Sequence, residues 1–438
     1  MIVMKFGGTS VGDADRIRNT ADIIKSYIEK KPVVVVSAVS GNTDKLIELA
    51  NAAAQGQGDE ILKGIKKIHC EILEKLGLDK SLVEKDIKNL TSLLDEAKKE
   101  GVDTQKLDEF QSFGERMSSK IVAAQLNRIG VNAKAFNAWD LGFLTNSEFG
   151  NAEPLEKTFD NLNKNIEKLD VVPVITGFIG KTEKGDVTTI GRGGSDYTAA
   201  IVGSAINADE VQVWTDVDGI KTTDPKIVSN AKPIDKASFR EASELAYFGA
   251  KVLHPKTILP AMKKNIPVKV LNSLNPKNNG TVVLNRTEKS QQIVKAITYK
   301  KNITLIIVES TRMLGAYGFL ARLFSVFDKY KKSVDVVSTS EVGVSITIDN
   351  EENLDCIIKE LEKMAKVRVI RNKAIICMVG EGLRNTPGVA KRIFSPLGDN
   401  KINVEMASQG ASEINVTFVV DGKDGEKAVK VLHKEFFG

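Results

Sequence analysis

An internal repeat constrains this chain more than any other feature. Gly318-Phe-Leu-Ala-Arg-Leu-Phe324 recurs as Gly388-Val-Ala-Lys-Arg-Ile-Phe394, an offset of 388 − 318 = 70. At the same offset Val334-Asp335 recurs as Val404-Glu405, and Val344, Ile346 and Ile348 recur as Ile414, Val416 and Phe418. The alternating VSITI and INVTF runs have the period of half-buried strands. Each copy reads as strand, loop, helix, strand, strand, with helical material following at Glu352–Met364 and Gly425–Phe436. The pattern predicts a ferredoxin-like βαββαβ unit, present twice. By itself it says only that a structural module was duplicated.

Upstream, the first ~285 residues alternate strand-like and helix-like stretches, which argues for an α/β fold with a mostly parallel sheet. Ile2–Phe6, Val33–Val36, Val131–Phe136, Val171–Thr176 and Val211–Trp214 read as strands. The unbroken valine run has the composition of a strand covered on both faces. Asp13–Glu29 has helical periodicity, and helical sequence runs from about Thr43 to Arg128 with breaks at Gly56–Gly58 and Gly77. Asn272–Asn279 is rich in turn formers.

Composition excludes several classes. The 438 residues hold 62 basic and 57 acidic side chains, a net charge of 62 − 57 = +5, with lysines interspersed among acids. That pattern suits solvated helix faces and no nucleic-acid partner. No apolar run approaches the ~18 residues of a membrane span, and the N-terminus has no signal-peptide pattern, so the expected location is the cytoplasm. Cys70, Cys356 and Cys377 are odd in number and far apart, which predicts inert or buried thiols. With His69, His254 and His433 as the only histidines, no His-rich metal site is expected, nor any metal held by protein side chains.

Several segments carry chemistry. Lys5-Phe-Gly7-Gly8-Thr9-Ser10 joins a strand to a helix, so its amides and ammonium suit a phosphate. Alone it is equally a tight turn. Gly191-Arg192-Gly193-Gly194-Ser195-Asp196 puts an arginine, which grips carboxylate or phosphate with two parallel bonds, in a second glycine-rich loop. Its bland reading makes Ser195 or Asp196 a helix cap. Ser37-Ala-Val-Ser40-Gly41-Asn42-Thr43 ends a strand in hydroxyls, Glu115 lies in a long helix, Asp218-Gly219 and Asp224-Pro225 are turn pairs, and Lys251 is the one charge in an apolar stretch.

In this order KFGGTS, SFGERMSS, TIGRGGSD, TDVDGIKTTDP and FGAKVLHP resemble the aspartokinases, and the C-terminal duplicate resembles their paired ACT domains. The resemblance implies an amino-acid-kinase αβα sandwich over 1–285, then two ferredoxin-like ACT domains at 300–372 and 373–438. It implies transfer of a phosphoryl group from ATP, with Mg2+, to the β-carboxylate of L-aspartate, in the route to lysine, threonine and methionine. It makes Lys5, Asp196 and Lys251 the catalytic set. Ser37, Thr43, Glu115, Arg192 and Ser195 would bind aspartate, with Arg192 on its α-carboxylate and Glu115 on its α-ammonium. Gly7, Gly8, Thr9, Thr215, Asp216, Lys221, Lys226 and Lys251 would hold the nucleotide. Many members have an aromatic residue at the position of Lys221 and arginine at that of Lys226, so base contacts depart from the family pattern.

The resemblance also implies feedback inhibition by L-lysine at Met313, Gly318, Leu320, Ser333, Val334, Asp335, Ser340 and Glu341 in the first repeat. There Asp335 would meet the effector's ammonium. A homodimer or homotetramer built through the ACT domains is expected, as is a monofunctional enzyme, since no GxGxxG occurs. Two alternatives stay open at this point: another acyl-phosphate-forming kinase of the same fold, and an amino-acid-binding regulator without turnover.

Overall fold

Ile2–Phe6 and Pro32–Val36 are buried at every position. Strands of this kind need cover on both faces, and the chain supplies it. The computed structural model describes residues 1–249, 255–285, 292–310, 313, 317–383, 386–409 and 413–438. These form two compact units. The first comprises Met1–Ile220, Pro233–Phe239 and Val252–Thr287; the second comprises Lys221–Lys232, Arg240–Lys251 and Glu288–Gly438. Lys251, His254 and the rest of the 250–254 stretch lie outside the described residues.

The first unit is built on an eight-stranded sheet. Its spatial order is Ala133–Phe136, Val172–Thr176, Pro32–Val36, Ile2–Phe6, Glu210–Thr215, Val268–Asn272, Thr281–Leu284, Lys236–Ser238. The first six are mutually parallel; Thr281–Leu284 runs antiparallel to Val268–Asn272 across the turn-rich segment that follows Asn272. One face carries the helices Ala14–Ser26, Asn42–Ala53, Asp59–Leu76, Glu84–Glu100 and Thr104–Arg128, whose apolar stripes join the strand side chains in one core. The predicted breaks at Gly56–Gly58 and Gly77 hold, and a further one falls at Gly101, where φ is +83°. On the other face lies Gly194–Ala205, held so close that a Cβ on Gly203 would sit 2.6 Å from the Val211 side chain. The predicted αβα sandwich is therefore present. Lys236–Ser238, Val268–Asn272 and Thr281–Leu284 are strands that the sequence reading did not pick out.

The second unit contains a six-stranded antiparallel sheet in the order Val337–Thr339, Gly343–Ile348, Ala296–Glu309, Lys366–Val379, Asn415–Asp421, Val404–Gln409. Helices Phe319–Lys329 and Leu354–Leu361 cover the first repeat; Val389–Asp399 and Gly425–Phe437 cover the second. The offset of 70 extends to backbone conformation. Left-handed residues recur as Asn302 and Asn372, Gly318 and Gly388, Lys331 and Lys401. Both asparagines interrupt a 14-residue strand at its middle. Asparagine tolerates that conformation because its short polar side chain bonds locally.

The duplication is closed in a way that serial reading does not anticipate. The second repeat does not take its last strand from its own stretch of sequence. Its fourth strand is the start of Ala296–Glu309, with Ala296 opposite Val379 and Lys300 opposite Ile375. The remainder of that strand, through Glu309, serves the first repeat. The alternation of VSITI and INVTF also overstates exposure, since Thr347 and Thr417 are buried as well. Of the cysteines, Cys377 is buried and burial pushes its thiol up to about 12, while Cys70 is half-buried and Cys356 exposed. No helix among the described residues is long and apolar enough to cross a membrane.

Candidate active site

Each parallel strand of the first unit ends in a loop at the same edge of the sheet, and ligand crevices of open α/β sheets form there. Phe6 pairs in register with Val36 and Trp214, and Val36 with Thr176. The loops beginning at Gly7, Ser37, Gly177 and Thr215 therefore start side by side. Backbone bonds tie them: Gly7 N–H donates to Trp214 C=O at 3.2 Å, Ser37 N–H to Phe6 C=O at 3.1 Å, and Gly177 N–H to Val36 C=O at 2.9 Å. Gly177 admits no side chain, since a Cβ would fall 2.6 Å from that of Ser195.

A cavity of about 450 Å³ opens among these loops. It is lined by Lys5, Ser37, Thr43, Gln111, Glu115, Gly150, Phe178, Thr189, Gly191, Arg192, Gly193, Gly194, Ser195 and Asp196. Every residue expected to bind aspartate is among them, as are Lys5 and Asp196. Gln111, Gly150, Phe178 and Thr189 were not foreseen. Gln111 stands one helical turn before Glu115, a spacing that could have flagged it. Phe178 has φ of +67°, which its sequence does not announce.

The electrostatics of the cavity are uneven. Lys5 Nζ lies 2.6 Å from Asp196 Oδ1, an ion pair with both side chains largely buried. Gly193, with φ of +74°, occupies the N-cap of Gly194–Ala205. Ser195 and Asp196 thus stand inside the helix and are not its caps. Arg192 is exposed at the rim. Glu115 is fully buried; its Oε1 accepts from Ala38 N–H at 3.0 Å while its Oε2 has no partner among the described residues. Burial raises its carboxyl to about 8, against the lowering effect of the Ala38 bond. A buried carboxyl with a free oxygen is suited to receive a cation.

The residues expected at the nucleotide sort differently. Gly7, Gly8, Thr9, Thr215 and Asp216 leave the carboxyl ends of adjacent strands, next to Lys5 and outside the cavity lining. Ser273 fastens them, its hydroxyl 2.8 Å from that of Ser10 and its N–H donating to Thr215 C=O at 2.8 Å. Gly8 leaves no room for a side chain: a Cβ would press on Ala38 C=O at 3.0 Å. Lys221 is half-buried and Lys226 exposed, and both belong to the Lys221–Lys232 segment of the second unit. Lys251 lies outside the described residues.

In the second unit, Asp335 is at the heart of the expected effector stretch. Its side chain is only 6 % exposed. Oδ1 is 2.8 Å from Lys300 Nζ and accepts from the Tyr247 hydroxyl at 3.4 Å, while Oδ2 is buried without a partner among the described residues. Burial raises its carboxyl, and Lys300 works against that. Lys300 is shared with Asp349, also at 2.8 Å. Gly318 caps Phe319–Lys329 with φ of +75°, Leu320 is 41 % exposed, and Met313 packs on the core of the first repeat. Ser333, Ser340 and Glu341 are exposed, and Val334 packs partly against that core. These residues are not gathered into one cavity; of them only Ser340 lines the open groove of the first repeat.

Residues 1–272 match the model of the amino acid kinase family, and residues 376–436 match an ACT domain. The lysine-sensitive aspartokinase 3 of Escherichia coli is 39% identical over 451 residues, covering 100% of this chain and 99% of that one. The crystal structure of E. coli aspartokinase III in complex with aspartate and ADP (R-state) matches with a TM-score of 0.86 at 38% identity, covering all of both chains. The structure of the same enzyme with lysine and aspartate (T-state) matches with a TM-score of 0.83 over the same extent.

Proposed function

Because the chain belongs to the amino acid kinase family, as an aspartokinase with ACT domains, we propose that the cavity beside the Lys5–Asp196 pair binds L-aspartate and delivers its β-carboxylate to ATP. The chain is an aspartate kinase, forming 4-phospho-L-aspartate and ADP, and L-lysine regulates it. One observation carries the reading of the cavity: Lys5, Ser37, Thr43, Glu115, Arg192, Ser195 and Asp196, drawn from four separate stretches of sequence, line one enclosure.

The chemistry fits the residues. A β-carboxylate has a pKa near ~3.9 and is ionised at neutral pH. One of its oxygens attacks the γ-phosphorus, the bond to the β,γ-bridging oxygen breaks, and ADP leaves with that electron pair. No proton need move, so a site without histidine is adequate. The obstacle is the approach of an anion to a polyanion, which positioning and fixed charge overcome. Lys5 supplies a cation for the transferring phosphoryl group, and Asp196 holds that ammonium in place. The Gly7 and Gly8 amides and Thr9 serve the phosphates, with Thr215, Asp216, Lys221 and Lys226 on the nucleotide and Lys251 near its phosphates. Magnesium would travel on the phosphates of ATP and neutralise their charge. Arg192 holds the α-carboxylate, Glu115 the α-ammonium, and Ser37, Thr43 and Ser195 complete the pocket.

We assign residues 1–285 to catalysis, with ACT domains at 300–372 and 373–438, the second completed by Ala296–Lys300. Lysine is read as binding the first repeat through Asp335, with Met313, Gly318, Leu320, Ser333, Val334, Ser340 and Glu341 around it, and the ACT domains as joining a homodimer or homotetramer. Hydroxylamine trapping of the acyl phosphate tests the reading directly. Aspartate-dependent hydroxamate that falls on adding L-lysine is expected. Its absence from folded protein with MgATP would overturn the substrate assignment, and hydroxamate indifferent to lysine would overturn the effector.

A further inference from the structure

Two turns before Glu115, on the same helix, Asp108 makes a set of contacts that the reaction as described does not use. It is 1 % exposed. Its Oδ2 accepts from two backbone groups, Gly150 N–H and Thr189 N–H, each at 2.8 Å. Its Oδ1 accepts from the Thr189 hydroxyl, also at 2.8 Å. The donors lie 42 and 81 residues downstream, and both line the cavity. The two donor segments are joined to each other as well. Ala152 N–H donates to Thr189 C=O at 2.9 Å, and a Cβ on Gly191 would lie 2.7 Å from Asn151 Oδ1.

We infer that Asp108 is a positioning residue for the acceptor amino acid: it sets the Gly150 and Thr189–Arg192 segments at a fixed distance from Glu115. The inference rests on the reading of the cavity as the aspartate site. The α-ammonium and α-carboxylate of aspartate share one carbon. Their partners come from different places, Glu115 from a rigid helix and Arg192 from a glycine-rich loop with positive φ on both sides. Such a loop has no conformational preference strong enough to hold an arginine within a fraction of an ångström. Asp108 couples the loop to the helix that carries Glu115, through a side chain with no freedom left. Misplacement of a substrate clamp by about 1 Å can cost up to ~100-fold in use of that substrate. ATP is bound by other loops and is not subject to this coupling.

The test is a separation of Michaelis constants in the full-length enzyme. Asp108→Ala is expected to raise the aspartate KM about 10-fold or more while the ATP KM stays within about twofold, because only ground-state placement of aspartate is lost. Asp108→Asn keeps one oxygen able to accept from both backbone N–H groups, and Thr189 can accept from its amide. Its aspartate KM should therefore return to within about threefold of the parent. Rescue by Asn distinguishes positioning from loss of charge. If Asp108→Ala does not fold, Asp108→Ser is the truncation to measure, with the same expected pattern. An unchanged aspartate KM in a folded truncation, or equal rises in both KM values, overturns the inference. Arg192→Ala is measured alongside: if it too leaves the aspartate KM unchanged, the cavity reading fails, and if it alone raises that KM, only the role of Asp108 fails.

Discussion

Two buried carboxylates, Glu115 in the first unit and Asp335 in the second, are each assigned an amino-acid ammonium, and their surroundings differ. Glu115 faces a ready cavity, with Oε2 unpartnered and a pKa raised to about 8. Asp335 has one oxygen already occupied by Lys300 and Tyr247, in a stretch whose other expected contacts are scattered. Glu115 is open to a cation as it stands. The second site holds a cation of its own chain, so an incoming ammonium must share Asp335 with Lys300 or displace it. That is the kind of differential contact through which a ligand shifts a conformational equilibrium. The aligned carboxylate of the second repeat, Glu405, is paired with Lys373 at 2.6 Å and is more exposed, at 22 %. The duplication therefore kept the backbone and left a buried, unpartnered carboxylate oxygen in only one of these two positions.

Four experiments would break or sharpen this contrast. The largest effect belongs to Lys5→Ala, which should lower kcat by ~10²–10³-fold, as for loss of one preorganised electrostatic group. Lysine binding by calorimetry should be unaffected in that variant, and its loss would deny the independence of the two regions. Next is the pH dependence of aspartate use. An ammonium requires ionised Glu115, so protons compete with it below about 8. Competition of that kind raises the aspartate KM by on the order of tenfold between pH 8.5 and 6.5, and Glu115→Gln should flatten the profile. A parent profile already flat would remove Glu115 from the ammonium. The same group affects stability with a definite sign. Its folded pKa is above the unfolded value of ~4.5, so the ligand-free chain loses stability from this residue as pH rises from ~4.5 through about 8.

Asp335→Ala should raise the lysine concentration for half-inhibition about tenfold or more and spare kcat, whereas Glu405→Ala should shift it less than about twofold. Equal shifts in dose–response curves would erase the distinction between repeats. The smallest effect lies away from both sites. Asp13 caps the helix Ala14–Ser26, accepting from Arg16 N–H at 2.9 Å. Asp13→Ala should cost about 1 kcal/mol in denaturant unfolding and leave both KM and lysine response unchanged.

Much of the molecule can be read without coordinates because its signals are local. The valine run, the glycine-rich loops and the helical stripes each follow from short-range sterics and burial. The offset of 70 named equivalent residues in two repeats before any strand was seen. Arg192 and Lys5 could be singled out because a charged side chain near glycines is locally conspicuous, whereas Glu115 stood out only through the resemblance of SFGERMSS to the aspartokinases. Asp108 could not. It is one acid among several on a helix, and its meaning lies in N–H groups 42 and 81 residues away. The three unforeseen strands of the eight-stranded sheet lie together at one edge, around its one antiparallel pair.

The sequence by itself determined which segments are strands and helices over most of the chain, that the C-terminal module is double, and which loops carry reactive groups. Residue type and spacing are enough for that, since they act within a few residues. Only the tertiary structure decided that Ala296–Lys300 completes the second repeat, that seven expected side chains share one cavity, and that Asp335 already faces a lysine. Those outcomes depend on pairings between distant segments. Their free energy comes from burial and hydrogen bonds that exist only once the chain has closed on itself, and no local pattern encodes them.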